Sequence, residues 1–481
     1  MSRFNSPSVG TKVTNRAGGQ GYSESDELKL ASILLTSFAN DQFYRSADQS
    51  FDEIKGLLEK VDPMFAMQAA VYARTKFGMR SITHVLAGEM FRGKSHAKSQ
   101  DFLKALVYRP DDATEIMSYF MNKVMNKTVP AQLKKGLAAS LSKFNSYQLA
   151  KYRGEGKAIK MVDLFNMVHP KPTKELEPAF RDLIEGNLKS VDTWEAKLTR
   201  AGQAAENEEN KADLKAEAWK DLLESKKIGY FALLRNLRNI LKDAPDLVDT
   251  ACELLVDEKA ITKSLVMPFR FQTAHEEIEK INGAAARKVL SAIEKAIDVS
   301  CRNVPDLGGN TCIIMDCSGS MCGRPMAIGS LFSAVLAKAS SADIIAFACT
   351  AKYVKYSVGS SVMDIAKKIH NMEVGGSTNV HMAFREMTQK YDNVILLSDM
   401  QAWDSGWGGE TGKQACDKYV KKFKVAQPYV YSFDLQGYGS LQFPEDKTYY
   451  LCGFSEKTLD LLKLLKTDRK ALVNEIKKIT F

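Results

Sequence analysis

The sequence predicts a multidomain molecule, an all-α array followed by an α/β domain built on a doubly wound parallel sheet. Three observations predict it. Over residues 26–300 apolar side chains recur at three and four positions, with almost no strand-like alternation. Beyond residue 310, short runs apolar on both faces alternate with helical patterns, the signature of a parallel sheet covered on both sides. Between the two lies Asn303-Val304-Pro305-Asp306-Leu307-Gly308-Gly309, a stretch of linker composition. The expected division is 1–21 as a flexible N-terminal arm, 22–302 as the helical part and 303–481 as the α/β domain. A chain of 481 residues has interior enough for that.

The helical elements follow from their punctuation. Asp62-Pro63 starts one helix, Phe65, Ala66, Ala69, Ala70 and Ala73 form its buried face, and Gly78 ends it. Breaks recur at Arg109-Pro110-Asp111-Asp112, Thr128-Val129-Pro130 and His169-Pro170-Lys171-Pro172, at intervals that suit stacked helical hairpins. The acidic run Glu206-Asn207-Glu208-Glu209 reads as an exposed loop. In the second half, strands are expected over 311–315, 343–348, 394–397 and 429–433. Helices are expected over 325–340, 412–423 and 456–479.

Composition narrows the function classes. No apolar run is long enough to span a bilayer and no N-terminal segment resembles a signal peptide, so a cytoplasmic protein with no membrane partner is expected. Seven of the eight cysteines fall between Cys301 and Cys452 in no zinc-binding spacing, which reads as buried free thiols. The net charge of +9 is unevenly spread. Residues 51–160 hold 19 Lys/Arg against 10 Asp/Glu, a local basic surface of the kind an anionic partner needs. Solvated helix faces look much the same, so charge alone does not decide for nucleic acid.

The sharpest local signal is Asp316-Cys317-Ser318-Gly319-Ser320, directly after the first strand of the second half. A doubly wound sheet presents its ligand crevice there. Gly375-Gly376-Ser377-Thr378 brings a further hydroxyl, and Leu397-Ser398-Asp399 puts a carboxylate at the end of a later strand. Hard oxygen donors of this kind suit a small divalent cation such as Mg²⁺. The other reading is that these groups only hydrogen-bond among themselves. The set Asp316, Ser318, Ser320, Thr378 and Asp399 resembles the metal-ion-dependent adhesion site of von Willebrand A domains. In such sites an acidic protein ligand completes the shell, so the resemblance implies docking. No general base or nucleophile pair stands nearby in sequence, and no enzymatic activity is expected.

The two halves together are similar to the Ro autoantigen family, the TROVE-module proteins. The resemblance is carried by Asn15-Arg16-Ala17-Gly18-Gly19, by 132–135 through 151–153 to 168–172, and by 231–237, Met267-Pro268-Phe269-Arg270 and Leu451-Cys452-Gly453-Phe454. It implies a ring of HEAT-like helical repeats before the von Willebrand A domain. It further implies a Y-type small noncoding RNA on the outer surface and single-stranded 3′ ends of misfolded RNA in the central hole. An exoribonuclease tethered through RNA and a role in RNA quality control or degradation belong to the same expectation.

Candidate RNA contacts are Lys134, Lys135, Lys151, Arg153, His169 and Lys171 in the basic region. Arg80, Arg235, Arg238 and Arg270 lie in or beside matched segments and either line the hole or form buried salt bridges between repeats. Two departures from the family pattern are Cys317 within the metal motif and Pro170 before Lys171. The rival reading is a protein-docking adaptor whose helical half is only scaffold; a metal-dependent hydrolase is a third and weaker one.

Overall fold

The computed structural model describes residues 12–14, 20–23, 25–36, 47–92, 96–125, 128–154, 156–188, 197–198, 201, 208–226, 228–264, 266, 268–301, 308–357, 359–401, 410–438, 440–441, 448–452 and 471–481. The helical half comprises α1 (Asp26–Thr36), α2 (Ala47–Leu58), α3 (Pro63–Lys76), α4 (Ser81–Met90), α5 (Ser99–Leu106), α6 (Pro110–Tyr119), α7 (Ala131–Leu141), α8 (Ser146–Lys151), α9 (Met161–Val168) and α10 (Glu177–Ile184). It continues through α11 (Glu208–Glu224), α12 (Tyr230–Asp243), α13 (Val248–Leu255), α14 (Glu258–Ser264), α15 (Pro268–Glu279) and α16 (Ala284–Ser300). None of the described helices is long and apolar enough to cross a membrane.

α3 shows why these segments are helices. The Asp62 carboxylate accepts from the Met64 N–H, Pro63 occupies the first turn, and Gly78 follows the last turn in the left-handed region. Its alanines let neighbours approach, and Phe65, Ala66, Ala69, Ala70 and Ala73 are all buried. A buried ion cluster ties three helices together. Asp112 at the start of α6 accepts from Arg74 of α3 at 2.8 Å, from Arg80 at 2.7 Å and from His84 of α4 at 3.2 Å.

The second half is a six-stranded sheet. Its strands are β3 (Thr311–Asp316), β4 (Asp343–Phe347), β5 (Ala351–Tyr353), β6 (Asn393–Ser398), β7 (Tyr429–Asp434) and β9 (Thr448–Cys452). Their spatial order is β5-β4-β3-β6-β7-β9, parallel except that β5 runs antiparallel to β4. The wholly parallel sheet expected from apolar runs is therefore mixed at one edge, where a short strand with an exposed Lys352 pairs on one side only. Helices α17 (Arg324–Ser340) and α18 (Val362–His370) join the core that Ile313 and Met315 enter. Cys312 and Ile314 face the other way, into a cluster with residues of α19 (Val380–Glu386) and α20 (Gly412–Phe423). Helices thus cover both faces.

Other expectations are corrected. The supposed arm contains β1 (Lys12–Thr14) and β2 (Gln20–Ser23), an antiparallel hairpin whose second strand pairs with β8 (Ser440–Leu441) of the far half. Residues 208 and 209 open α11 instead of lying in a loop. Cys322 and Cys349 are exposed thiols. Of the expected last helix, α21 (Ala471–Lys477) is present, whereas 456–470 lies outside the described residues. The same holds for 15–19, 206–207, 303–307, Met267 and 453–454.

The α/β half touches both ends of the helical array. At the beginning, α1 packs on β9, and α21 packs on α3, where Gln68 donates to the carbonyls of Lys477 and Ile479 at 2.9 Å each. At the end, α15 meets α17 and α16 meets α18, with Lys338 bonded to Asp298 at 2.7 Å. The chain closes on itself through these two seams.

Candidate metal crevice and nucleic-acid face

β3 sends the chain through α17 to β4 on one side, and the later crossover returns to β6 on its other side. The crevice of a doubly wound sheet opens where the strand order reverses, above the carboxyl ends of β3 and β6. Asp316 ends β3, and Ser398-Asp399 ends β6, so both carboxylates reach that crevice. The Asp316 carboxylate accepts from the Ser318 N–H at 2.9 Å and from the Ser398 hydroxyl at 2.6 Å. The hydroxyls of Ser318 and Ser320 lie 3.2 Å apart. Gly319 N–H donates to the Gly376 carbonyl at 3.0 Å, which joins this loop to the one carrying Thr378. Gly375 in that loop has φ +91°, and a Cβ there would stand 2.7 Å from the Cys349 sulfur. Only glycine fits.

All five predicted ligand residues are buried. Burial first, and the neighbouring charge of Asp316 second, push the Asp399 carboxyl up to about 8. Burial also raises Asp316, against its hydrogen bonds from Ser318 and Ser398. One buried carboxylate oxygen of Asp399, Oδ2, has no hydrogen-bond partner among the described residues. Two buried carboxylates with an orphaned oxygen and convergent hydroxyls are a poor arrangement without a cation and a good one with it. Among the described residues no group of three or more His, Cys, Asp or Glu gathers at one point, so the donor set, if it holds an ion, is carboxylate and hydroxyl.

The basic residues separate into three groups. Lys134 and Lys135 lie on α7, Lys151 and Arg153 at the end of α8, and His169 and Lys171 just after α9, three successive helices. Lys135, Lys151, His169 and Lys171 are exposed, while Lys134 and Arg153 are half-buried. His169 caps α9 in the left-handed region at φ 49°, and Ser142, at the end of α7, donates to the Lys171 carbonyl at 3.0 Å. Arg80 belongs to the second group. Its guanidinium, partly exposed, is held by Asp111 at 2.6 Å and Asp112 at 2.7 Å, a salt bridge between helices.

The third group lines a cavity of about 730 Å³ between α12, α15 and the residue before α6. Arg235, Arg238 and Phe231 from α12 face Arg109, with Thr273 and Glu277 from α15. Arg238 pairs with Glu277 at 3.3 Å in an exposed bridge, and Arg235 has no ion-pair partner among the described residues. The side chain of Arg270 lies outside the described ones. Sequence reasoning missed Arg109, whose partly exposed guanidinium donates to both Asp111 oxygens at 3.0 and 2.8 Å and lies 4.5 Å over the Tyr152 ring. It also missed Tyr108, one of the few exposed large apolar side chains, with Phe231 another. A Tyr-Arg pair before a helix-starting proline was the available hint.

A helical array whose two ends meet an α/β domain is the fold of a solved Ro protein. The chain is similar over 91% of its length to the Ro protein of Deinococcus radiodurans, of which 99% is covered, with a TM-score of 0.61 and 17% identity. The TROVE domain model matches residues 35–213 and 186–303, and the chain belongs to that family. Telomerase protein component 1 of mouse is 22% identical over 354 aligned residues, and that of rat 20% over 352. Each alignment takes in 54% of this chain but only 13% of the relative, which is several times longer.

Proposed function

We propose that this protein is an RNA-binding component of a ribonucleoprotein that takes single-stranded RNA into its central cavity. The observation that carries the reading is the placing of Arg109, Arg235 and Arg238 around one opening, from helices more than a hundred residues apart in sequence. Guanidinium groups recognise phosphates without regard to sequence, and the exposed Phe231 in the cavity lining supplies a face for a stacked base. The exposed Lys135, Lys151, His169 and Lys171, with Lys134 and Arg153 beside them, suit a second, structured RNA of the Y type on the outside. Binding of misfolded 3′ ends, RNA quality control and a tethered exoribonuclease are what the family resemblance implies, and they belong to the same proposal. The protein binds and does not turn over its RNA.

In the crevice, Asp316, Ser318, Ser320, Thr378 and Asp399 would hold a divalent ion, with Mg²⁺ the best match to hard oxygen donors. The ion would offer an open coordination position to an acidic protein ligand. The chain's own residues supply the enclosure: Ser398 orients Asp316, and Gln401 N–H donates to Asp399 at 3.1 Å.

The test is fluorescence anisotropy with a single-stranded oligoribonucleotide. Joint replacement of Arg109, Arg235 and Arg238 by Gln should weaken binding at least tenfold. Unchanged RNA affinity would overturn the cavity reading, and loss of a protein partner on Asp316→Ala would then favour the adaptor.

A further inference from the structure

A chain of buried hydrogen bonds runs from the metal loop to the first helix of the helical half. The Gln436 side-chain amide donates to the Ser320 carbonyl at 3.2 Å, and Tyr438 O–H donates to the Gln436 amide oxygen at 2.9 Å. Gln436 N–H and Gly437 N–H both donate to Asp434, at 3.0 and 2.6 Å. Tyr450 O–H donates to the other oxygen of Asp434 at 2.8 Å. Having spent its one proton there, the Tyr450 oxygen must accept from the Ser32 hydroxyl, 2.7 Å away on α1. Ser320, Asp434, Gln436, Tyr450 and Ser32 are all buried. Gly437 meets α1 directly: at φ +66°, a Cβ on it would stand 2.1 Å from the Thr36 hydroxyl and 3.0 Å from the Ser32 carbonyl.

We propose that Asp434, Gln436 and Tyr450 are positioning residues that hold the Ser320 end of the metal loop in register with α1. Ion binding in the crevice and closure of the ring at its first seam are thereby linked. The proposal rests on the divalent-ion reading of the crevice. None of the three is among the five ligand positions, and no alternation or spacing in the sequence connects Ser32 with Ser320. Polar networks away from water transmit small displacements because each member has one satisfied arrangement. An ion that draws the Ser320 hydroxyl inward moves the carbonyl that Gln436 holds, and with it the turn that rests on Ser32 and Thr36. Linkage is reciprocal, so loosening α1 must weaken the ion by the same factor.

The experiment uses the full chain with Mg²⁺ alone. Hydrogen exchange over 26–36 is measured with and without the ion, and affinity is measured by calorimetry for the unaltered protein, Tyr450→Phe and Ser32→Ala. Mg²⁺ should slow exchange over 26–36 in the unaltered protein. Tyr450→Phe should weaken the ion by roughly tenfold, because Asp434 loses the bond that helps fix the turn from which Gln436 holds the Ser320 carbonyl. Ser32→Ala should leave the fold intact and abolish the exchange response, which keeps the test decisive if Tyr450→Phe does not fold. Ion binding with no change over 26–36, or Tyr450→Phe binding as tightly as the unaltered protein, overturns the linkage. Failure of the unaltered protein to bind Mg²⁺ overturns the ion reading, and the linkage with it.

Discussion

Asp112 carries more of the helical half than any neighbour of its size. It is fully buried and accepts from Arg74, Arg80, His84 and the N–H groups of Tyr108 and Arg109. Burial opposes its charge, but the bond from His84, the charge of Arg74 and the bond from Arg80 outweigh that and hold its carboxyl well below the usual carboxylate range. A depressed acid contributes stability that is present above its unfolded pKa, near 4, and is lost as pH falls through the folded value. Asp112→Asn should cost about 3–5 kcal/mol at pH 7, because the buried Arg74 loses its counter-charge and Arg80 loses one of its two. Urea unfolding at pH 7 and pH 3 checks this: the gap between variant and unaltered protein should narrow in acid.

Asp399 has the opposite sign. Its raised pKa means the folded, ion-free protein keeps a proton that the unfolded chain releases near pH 4. Stability of the ion-free protein therefore falls between about pH 4 and about pH 8. Mg²⁺ should restore it, by about 2.7 kcal/mol at a hundred times its Kd. The gain in Tm should be larger at pH 8 than at pH 5 and absent in Asp399→Asn. Equal gains in the variant would remove Asp399 from the ligand set.

At the scale of elements, close helix contacts depend on small residues. Gly136 of α7 lies against α5, where an added Cβ would stand 2.4 Å from the Leu103 side chain, itself buried. Gly136→Ala gains in intrinsic helix preference but overpacks this contact. A net loss of roughly 1–3 kcal/mol in urea unfolding is expected. The helix pattern of α3, its proline start and its glycine end were all legible before the structure. So was the strand–helix alternation that places Asp316 and Asp399. The hairpin β1–β2 was not, because its partner β8 lies more than four hundred residues away and its residues carry little apolar alternation. The edge strand β5 is three residues long, too short for any period to register.

For the molecule as a whole, closure gathers the cavity arginines. Each phosphate released from counterions on a single strand adds about 0.7 to the slope of log affinity against log salt. Replacing Arg109, Arg235 and Arg238 together should lower that slope by about 2. An unchanged slope would move the phosphates elsewhere on the surface.

The sequence by itself determined the change from helical to strand–helix pattern, the start and end of α3, and the placing of Asp316 and Asp399 at strand ends. These are local matters: capping, hydrophobic period and the placing of loops at strand ends depend on neighbours a few residues away. Only the tertiary structure decided that Arg80 is spent on Asp111 and Asp112 whereas Arg235 faces the cavity. It alone brought Arg109 opposite α12 and set Ser32 against Tyr450. A charged side chain reads alike in sequence whether it meets a carboxylate, a phosphate or water, and its partner is chosen by how the ring closes.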